Sequence, residues 1–283
     1  MKTYSGISEL VSDYRAFILD VWGVLHDGFN PYEGAADGLR RIRDLNCPVV
    51  LISNTPSNEA ILAQELQTLG FSSDLYDSVI TSGTLTREGI ELREESGSTY
   101  KYIGPANRAD LLDGLGFRNV NSVNQAHFLL VSGLNDEQHD LSSYTDQLNC
   151  AVRNYLPMYC ANPDLGISLI DGSFTACAGS IAFAYENIGG IVHSFGKPFP
   201  MIYKRALSYI PRRKRSGIAV VGDSLSTDIK GAKNSGLTAI LLANGVAAFQ
   251  AGGSEKTKII NLCKQESIKP DAILEYFSWR KEI

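Results

Sequence analysis

Short runs of consecutive apolar residues alternate with amphipathic segments in the first 82 residues of the chain. An unbroken apolar run is typical of a strand buried on both faces of a sheet, whereas apolar residues three and four apart indicate a helix. The predicted strands are Ala16–Val21, Pro48–Ser53 and Ser78–Ser82. The predicted helices are Gly34–Leu45 and a second that begins at Ser57 or Asn58 and ends at Gly70. This alternation predicts an α/β fold built on a parallel sheet with right-handed crossovers.

The C-terminal part of the chain repeats this pattern. Strands are predicted over Gly217–Gly222 and Leu237–Ala243, with a helix from about Thr227 to Asn234 between them. The intervening residues have predicted elements of their own, at Tyr100–Gly104, His127–Gly133, Gln138–Tyr155, Pro157–Ala161 and Ala178–Ile188. We therefore expect a Rossmann-like parallel-sheet core made of residues 1–84 and 187–283, with residues 85–186 forming an inserted, smaller α/β domain.

Composition and charge narrow the class of protein. The chain has 283 residues, of which 44% are hydrophobic and 20% charged, so it can bury a core and is not a disordered or low-complexity sequence. Lys and Arg total 26 against 31 Asp and Glu, a net charge of -5. Without a basic surplus the chain lacks the field that general nucleic-acid binding requires.

We expect neither a membrane span nor a secretion signal in this sequence. Its apolar runs are all shorter than the roughly 18 to 20 residues that cross a bilayer, and its first residues lack the apolar stretch of a signal peptide. We therefore expect a cytoplasmic protein with no membrane partner. The five cysteines are scattered, and the absence of any C-x-x-C pair argues against a zinc site or a disulfide framework.

Polar residues that suit phosphate chemistry follow the predicted strands. Asp20 ends the first strand, Ser53 ends the second, Lys197 lies in a Gly-Lys-Pro loop, and Asp223 and Asp228 follow the strand that ends at residue 222. In open parallel sheets, ligands bind beyond the carboxyl ends of the strands, where these side chains would meet. The combination predicts phosphoryl transfer through an aspartyl-phosphate with a Mg²⁺ ion.

The roles follow from charge. A phosphomonoester dianion repels a carboxylate, so attack by Asp20 requires a cation, and oxygen ligands such as Asp20 and Asp223 select Mg²⁺. Lys197 would neutralise further charge on the phosphoryl group, and Asp228 would orient Lys197 or a metal-bound water. We accordingly predict Asp20, Lys197 and Asp228 as catalytic residues and Asp20 and Asp223 as metal ligands.

The Ser-Asn-Thr segment that ends the second strand would contact the phosphate. The Ser53 hydroxyl and the Asn54 N–H can donate to its non-bridging oxygens, whose charge must be held throughout an in-line displacement. We therefore predict Ser53 as catalytic, and Asn54 and Thr55 as substrate-binding.

Taken together, these segments resemble the haloacid dehalogenase (HAD) superfamily, in its NagD-like branch, class IIA with a C2-type cap. The resemblance covers most of the chain, and the motifs that carry it are D-x-x-G-V from Asp20, S-N-T from Ser53, A-N-P-D from Ala161, G-K-P around Lys197 and G-D-S-L-x-T-D around Asp223. Each motif alone is common, but all of them in this order are specific to the superfamily.

The resemblance implies a Mg²⁺-dependent phosphatase acting on a small phosphorylated metabolite, a sugar phosphate or similar. It also implies that the inserted domain is a cap that supplies substrate contacts, and that the backbone carbonyl of Trp22 ligates the metal. A homodimer is compatible with the resemblance. The A-N-P-D stretch is either a turn at Pro163 or a contact near the substrate, and on the second reading Asn162 binds substrate.

The chain departs from the pattern of the superfamily at Trp22. Phosphatases of the superfamily usually carry a second Asp there as general acid for the leaving group, and a positioned acid contributes roughly 10² to 10⁴ in rate. His26 and Asp27, in the loop that follows, are the nearest substitutes for it.

Two other functions therefore stay open beside the phosphatase. One is a catalytically impaired module that binds a phosphorylated ligand without turnover. The other is a dehalogenase in which Asp20 attacks carbon, which would leave Asp223 and Asp228 without a role. The sequence does not identify the substrate.

Overall fold

The computed structural model describes residues 2–93, 97–135, 140–168, 174–214 and 217–279. Its strands, numbered along the chain, are β1 Lys2–Tyr4, β2 Ala16–Asp20, β3 Val49–Ser53, β4 Ser78–Thr81, β5 Thr99–Ile103, β6 Arg118–Asn119, β7 Phe128–Val131, β8 Pro157–Cys160, β9 Gly166–Ser168, β10 Phe174–Ala176, β11 Ile191–Ser194, β12 Ile218–Gly222, β13 Thr238–Leu242 and β14 Ala272–Leu274.

Helices connect most of these strands. They are α1 Ile7–Asp13, α2 Ala35–Asp44, α3 Glu59–Thr68, α4 Ser82–Glu91, α5 Thr145–Arg153, α6 Ala178–Asn187, α7 Pro200–Tyr209, α8 Lys230–Asn234, α9 Gly245–Ala251 and α10 Lys256–Gln265. A π-helical turn, Leu225–Ile229, precedes α8. None of the described helices has the length and hydropathy needed to cross a membrane.

A seven-stranded sheet in the order β1-β14-β13-β12-β2-β3-β4 forms the core of the larger unit. The pairs from β1 to β3 are parallel, which confirms the predicted α/β class and the single sheet shared by the N-terminal and C-terminal patterns. Every residue of β2, β3 and β12 is buried. Helices cover both faces of such a sheet, so its central strands are apolar throughout rather than alternating.

The smaller unit has its own sheet, in the order β11-β8-β7-β5-β6, and a separate antiparallel hairpin of β9 and β10. The described pairs of the five-stranded sheet are parallel. The apolar core on one of its faces includes Leu129, Met158, Ile181 and Tyr185.

The chain divides into these units at positions that differ from the predicted boundaries. The larger unit comprises residues 1–53, 60–80 and 197–283, and the smaller comprises residues 54–59 and 81–196. The prediction assigned residues 187–196 to the core, but β11 pairs with β8 in the smaller sheet. This strand has only four residues, and its first residue, Ile191, is 63% exposed, so it lacks the apolar run by which the other strands were predicted.

Most of the predicted elements agree with the structure to within two residues at each end. The helix predicted from Thr227 begins instead as the π-helical turn and becomes α-helical at Lys230. The predicted helix from Gln138 starts outside the described residues, and its described part is a 3₁₀ turn, Leu141–Tyr144, followed by α5. All five cysteines are free thiols.

Candidate active site

Asp20 is the last residue of β2, a central strand of the larger sheet. Its Cα pairs in register with Ile52, so Ser53 lies one residue further along the neighbouring strand at the same edge. Both Asp20 and Ser53 are buried. The Val21 N–H donates a 2.7 Å hydrogen bond to Asp20 Oδ1, which holds the carboxylate at the strand end.

Asp223 follows β12 and is enclosed by two glycines. A Cβ on Gly23 would lie 2.0 Å from Asp223 Oδ2, and a Cβ on Gly245 would lie 2.1 Å from the same oxygen. The Val246 N–H donates to this oxygen at 2.8 Å, and the Ala247 N–H donates to the Asp223 backbone carbonyl at 2.9 Å. The first turn of α9 therefore fixes Asp223 from both side chain and backbone.

Asp228 lies in the π-helical turn and is fully buried. The Ser224 N–H donates to its Oδ2 at 3.2 Å, and the Tyr203 hydroxyl donates to its backbone carbonyl at 3.2 Å. A Cβ on Gly222 would lie 2.1 Å from its carboxyl carbon, so β12 must end in glycine for the turn to pack there.

Lys197 connects two of these acids. Its Nζ forms an ion pair with Asp20 Oδ1 and a second, at 2.9 Å, with Asp228 Oδ1. The side chain is 4% exposed, so the ammonium group is held away from bulk water, where such a pair interacts more strongly than on the surface. Asp228 therefore lies beside Lys197, and its role in orienting Lys197 or a metal-bound water stays a prediction.

The three carboxylates form one cluster. An oxygen from each of Asp20, Asp223 and Asp228 lies within 4.8 Å of the others, and all three residues are buried. Burial, and next the charge of Asp228, raise the pKa of Asp223 to about 7. The same two effects raise the pKa of Asp20 well above its usual range, although the charge of Lys197 opposes them.

This donor set fits a divalent cation. Three buried carboxylates face one lysine, so the cluster carries more negative than positive charge when its acids are ionised, and a bound cation would remove the repulsion that raises these pKa values. All of the side-chain donors are oxygens, which favour hard cations over zinc.

Trp22 lies where phosphatases of the resembled superfamily usually carry an acid, and the following loop holds its ring. The ring packs edge-on against His26, with centroids 5.8 Å apart, and a Cβ on Gly28 would lie 2.2 Å from it. Gly28 has a φ of +99, a backbone conformation that residues other than glycine rarely adopt. The half-buried indole is therefore fixed within this loop.

Neither substitute acid in this loop has an available proton at neutral pH. The Gly28 N–H donates to His26 Nδ1 at 2.9 Å, and burial lowers the pKa of His26. Asp27 Oδ1 accepts from the Phe29 and Asn30 N–H groups at 2.8 and 2.7 Å, and the Asn30 contact is the largest cause of its lowered pKa. His26 is therefore neutral and Asp27 ionised.

The other predicted substrate-binding residues lie in the smaller unit. Asn54 Nδ2 donates to Asp164 Oδ1 at 2.8 Å, and the Asp164 N–H donates to Asn162 Oδ1 at 3.0 Å. The Thr55 side chain contacts Ser57 within a local turn. Asn54 and the A-N-P-D stretch therefore meet, while the substrate-binding roles of Asn54, Thr55 and Asn162 stay predictions.

Sequence reasoning missed two supports of the cluster. One is Tyr203 on α7, whose hydroxyl donates to the backbone carbonyl of Asp228. In the sequence this tyrosine cannot be told apart from an ordinary core aromatic. The other is the Gly245-Val246 pair that encloses Asp223. Its only signal in the sequence is an Asn-Gly after an apolar strand, which is common in any turn.

Comparison with known proteins identifies the family. Residues 17–118 match the family described as haloacid dehalogenase-like hydrolase, and residues 194–278 match a second, HAD-hydrolase-like family. The chain is 30% identical over 241 residues to an acid sugar phosphatase of Staphylococcus saprophyticus, covering 83% of this chain and 89% of that protein. It is 30% identical over 234 residues to the ribonucleotide monophosphatase NagD of Escherichia coli K12, covering 82% and 88%.

A solved structure agrees with these matches. The fold superimposes with a TM-score of 0.80 on a haloacid dehalogenase-like hydrolase from Brucella suis 1330, at 30% identity and covering 95% of this chain and 97% of that one. The matched segments contain Asp20 and Ser53 in one and Lys197, Asp223 and Asp228 in the other. The chain therefore belongs to the haloacid dehalogenase superfamily of hydrolases, in its NagD-like class IIA branch.

Proposed function

We propose that the protein is a Mg²⁺-dependent phosphatase that hydrolyses a small phosphorylated metabolite, a sugar phosphate or similar, through an aspartyl-phosphate on Asp20. The observation that carries this proposal is the buried Asp20 carboxylate, paired with Lys197 inside a cluster of acids at the sheet edge. Relatives named as a sugar phosphatase and a nucleotide phosphatase support the reaction class.

The reaction has two displacement steps at phosphorus. In the first, an Asp20 oxygen bonds to phosphorus while the bond from phosphorus to the ester oxygen breaks, and the leaving group departs as an oxyanion that takes a proton from water. In the second, water attacks the aspartyl-phosphate, inorganic phosphate leaves and the carboxylate is restored. Lys197 neutralises the transferring group throughout, and the Ser53 hydroxyl donates to a non-bridging oxygen.

Asp20, Asp223 and the Trp22 backbone carbonyl are the groups that would hold the metal. When bound, Mg²⁺ supplies charge neutralisation between the carboxylate and the phosphate dianion. Asp228 holds the Lys197 ammonium group beside Asp20, and the ion pairs that this group forms with both carboxylates support that role.

Protonation of the leaving group is weak in this enzyme. An indole N–H does not transfer its proton, so Trp22 offers at most a hydrogen bond or an apolar wall. With Asp27 ionised and His26 neutral, the loop supplies no replacement acid. Substrates whose leaving groups depart as weak bases, such as acyl and aryl phosphates, are therefore favoured over simple alkyl esters.

Phosphate release from a panel of sugar, nucleotide and cofactor phosphates with Mg²⁺ tests the proposal. Asp20→Asn keeps the shape of the side chain and removes the nucleophile, so we expect turnover to fall by a factor of about 10⁴ or more. Asp37→Asn, at an exposed residue of α2 that pairs with Arg41, is the matched control and should retain full activity. Equal phosphate release by wild type and Asp20→Asn would refute the assignment of Asp20 as the nucleophile.

Trp22 also favours the second candidate, a module that binds a phosphorylated ligand without turnover. In that case calorimetry would detect tight binding of one ligand of the panel, and no phosphate would be released from it. Turnover that depends on both Asp20 and Mg²⁺ excludes this alternative.

A further inference from the structure

The helix that follows Lys197 also reaches the turn that carries Asp228. Lys197 precedes α7 by three residues, and Tyr203 is the fourth residue of that helix. The Tyr203 hydroxyl donates to the backbone carbonyl of Asp228 at 3.2 Å and lies 3.4 Å from that of Thr227. Because the Asp228 carboxylate forms an ion pair with Lys197, α7 is connected to both partners of this pair.

The π-helical turn that carries Asp228 is wider than an α-helical turn. The Ile229 N–H donates at 3.1 Å to the Ser224 carbonyl, five residues back, and the Asp228 N–H donates to the same carbonyl at 3.1 Å. Such turns are rare and occur frequently at functional sites. Here the turn directs Asp228 Oδ2 to the Ser224 N–H and Oδ1 to Lys197. A contact that holds the turn therefore also holds the carboxylate beside Lys197.

Two glycines leave the room that this arrangement needs. A Cβ on Gly231 would lie 2.4 Å from the Tyr203 hydroxyl oxygen, and one on Gly222 would lie 2.1 Å from the Asp228 carboxyl carbon. Tyr203 and Asp228 are both fully buried. The hydroxyl and the carboxylate are therefore enclosed by backbone at either end of the turn.

The hydroxyl of Tyr203 keeps its proton at neutral pH. Burial, and next the charge of Asp228, raise the pKa of Tyr203 well above its usual range. A phenylalanine would fill the same space with the same ring, but the bond to the Asp228 carbonyl requires the hydroxyl.

We propose that Tyr203 is a positioning residue of the active site. Its hydroxyl fixes the backbone of the π-helical turn, and the turn fixes the Asp228 carboxylate. This carboxylate in turn holds the Lys197 ammonium group beside Asp20. The inference rests on the proposed function, in which Lys197 neutralises the transferring phosphoryl group.

Turnover of phenyl phosphate with Mg²⁺ by Tyr203→Phe tests this role. The variant keeps the ring and removes the hydroxyl, so we expect kcat to fall by about tenfold or more. The matched control is Tyr185→Phe in α6, because the Tyr185 hydroxyl is also buried and donates to a backbone carbonyl, that of Leu156, at 2.7 Å. Both variants lose one buried hydrogen bond, so a general loss of stability would affect them alike. An unchanged kcat in Tyr203→Phe, or an equal loss in both variants, would overturn the proposal.

A second comparison shows whether Tyr203 acts through Asp228. In Asp228→Asn the charge that pairs with Lys197 is already gone, so the addition of Tyr203→Phe should lower kcat by less than about twofold further. A further loss of about tenfold in this background would mean that Tyr203 acts independently of Asp228, contrary to the proposal.

The affinity for inorganic phosphate separates this inference from the proposed function. If wild type hydrolyses none of the phosphates of the panel, the proposed function fails, and calorimetry with inorganic phosphate at saturating Mg²⁺ tests the positioning role without turnover. We expect phosphate to bind about threefold or more weakly to Tyr203→Phe than to Tyr185→Phe, because a displaced ammonium group donates less well to it. Equal affinities of the two variants would refute the role of Tyr203.

Discussion

Trp22 is the residue that most affects the expected chemistry. Its indole is fixed against His26 and Gly28, two residues beyond Asp20, and it carries no proton for a departing alkoxide. The rate of the wild-type enzyme should therefore fall steeply as the pKa of the leaving group rises. Trp22→Asp should flatten that dependence and accelerate the poorest leaving groups by about 10²-fold or more.

A series of phosphate esters with graded leaving-group pKa values measures this dependence. His26→Ala and Asp27→Asn are the controls in the same loop, and neither should change the slope. A flat dependence in wild type that is lost in His26→Ala or Asp27→Asn would mean that the loop donates the proton.

The raised pKa of Asp223 makes the stability of the metal-free folded protein depend on pH. Its folded-state pKa is raised to about 7 from 3.8, so between these values the folded chain binds more protons than the unfolded chain. Its contribution to the stability of the metal-free protein is therefore full below about pH 4 and is lost as pH rises to about 7. In EDTA, Asp223→Asn should be more stable than wild type by about 1 to 3 kcal/mol at pH 8, and this advantage should shrink toward pH 5 and disappear below about pH 4. Urea unfolding at several pH values measures it, and a difference that is independent of pH would refute the shift.

The first turn of α9 holds Asp223 in place. Gly245 has a φ of +67 and a Cβ there would overlap the Asp223 carboxylate, whereas Gly236 has a φ of +69 and no neighbour within 4 Å. Both Gly→Ala changes impose the same backbone strain of about 1 kcal/mol. Only Gly245→Ala should also displace Asp223, so we expect it to weaken Mg²⁺ binding by about tenfold or more, with Gly236→Ala unaffected. Calorimetry with Mg²⁺ measures the affinity of both variants, and equal affinities would contradict the role of this helical turn.

Elements differ in how well the sequence predicts them, for physical reasons. β2, β3 and β12 are central strands, and their burial on both faces produces the apolar runs by which they were predicted. β1 and β14 have three residues each and lie at one edge of the sheet, so they carry no comparable run. The polar site residues at the strand ends were predictable, because the carboxyl ends of parallel strands lie on the same side of a sheet. The hydrogen bond from Tyr203 to Asp228 was not predictable, because it depends on packing between α7 and the π-helical turn.

For the whole molecule, a cation that binds only the folded chain should raise its thermal stability. A ligand at 100 times its dissociation constant stabilises the folded state by about 2.7 kcal/mol. We expect Mg²⁺ to raise the melting temperature of wild type more at pH 8 than at pH 5, because protonation of Asp223 competes with the metal. Differential scanning calorimetry measures this, with Na⁺ at equal ionic strength as control. If Mg²⁺ raises the melting temperature of Asp223→Asn as much as that of wild type, Mg²⁺ binds elsewhere.

The order of the strands in the larger sheet also has a consequence for synthesis on the ribosome. β2 pairs with β12 on one side, yet about 200 residues separate Asp20 from Ile218 along the chain. At about 5 to 20 residues per second, the growing chain therefore spends about 10 to 40 seconds with this edge of β2 unpaired. The strands of the smaller sheet all lie between residues 99 and 194, so they can pair during this interval. The nascent chain thus presents an open apolar strand edge, a site for chaperone binding or aggregation, until β12 emerges and brings Asp223 close to Asp20.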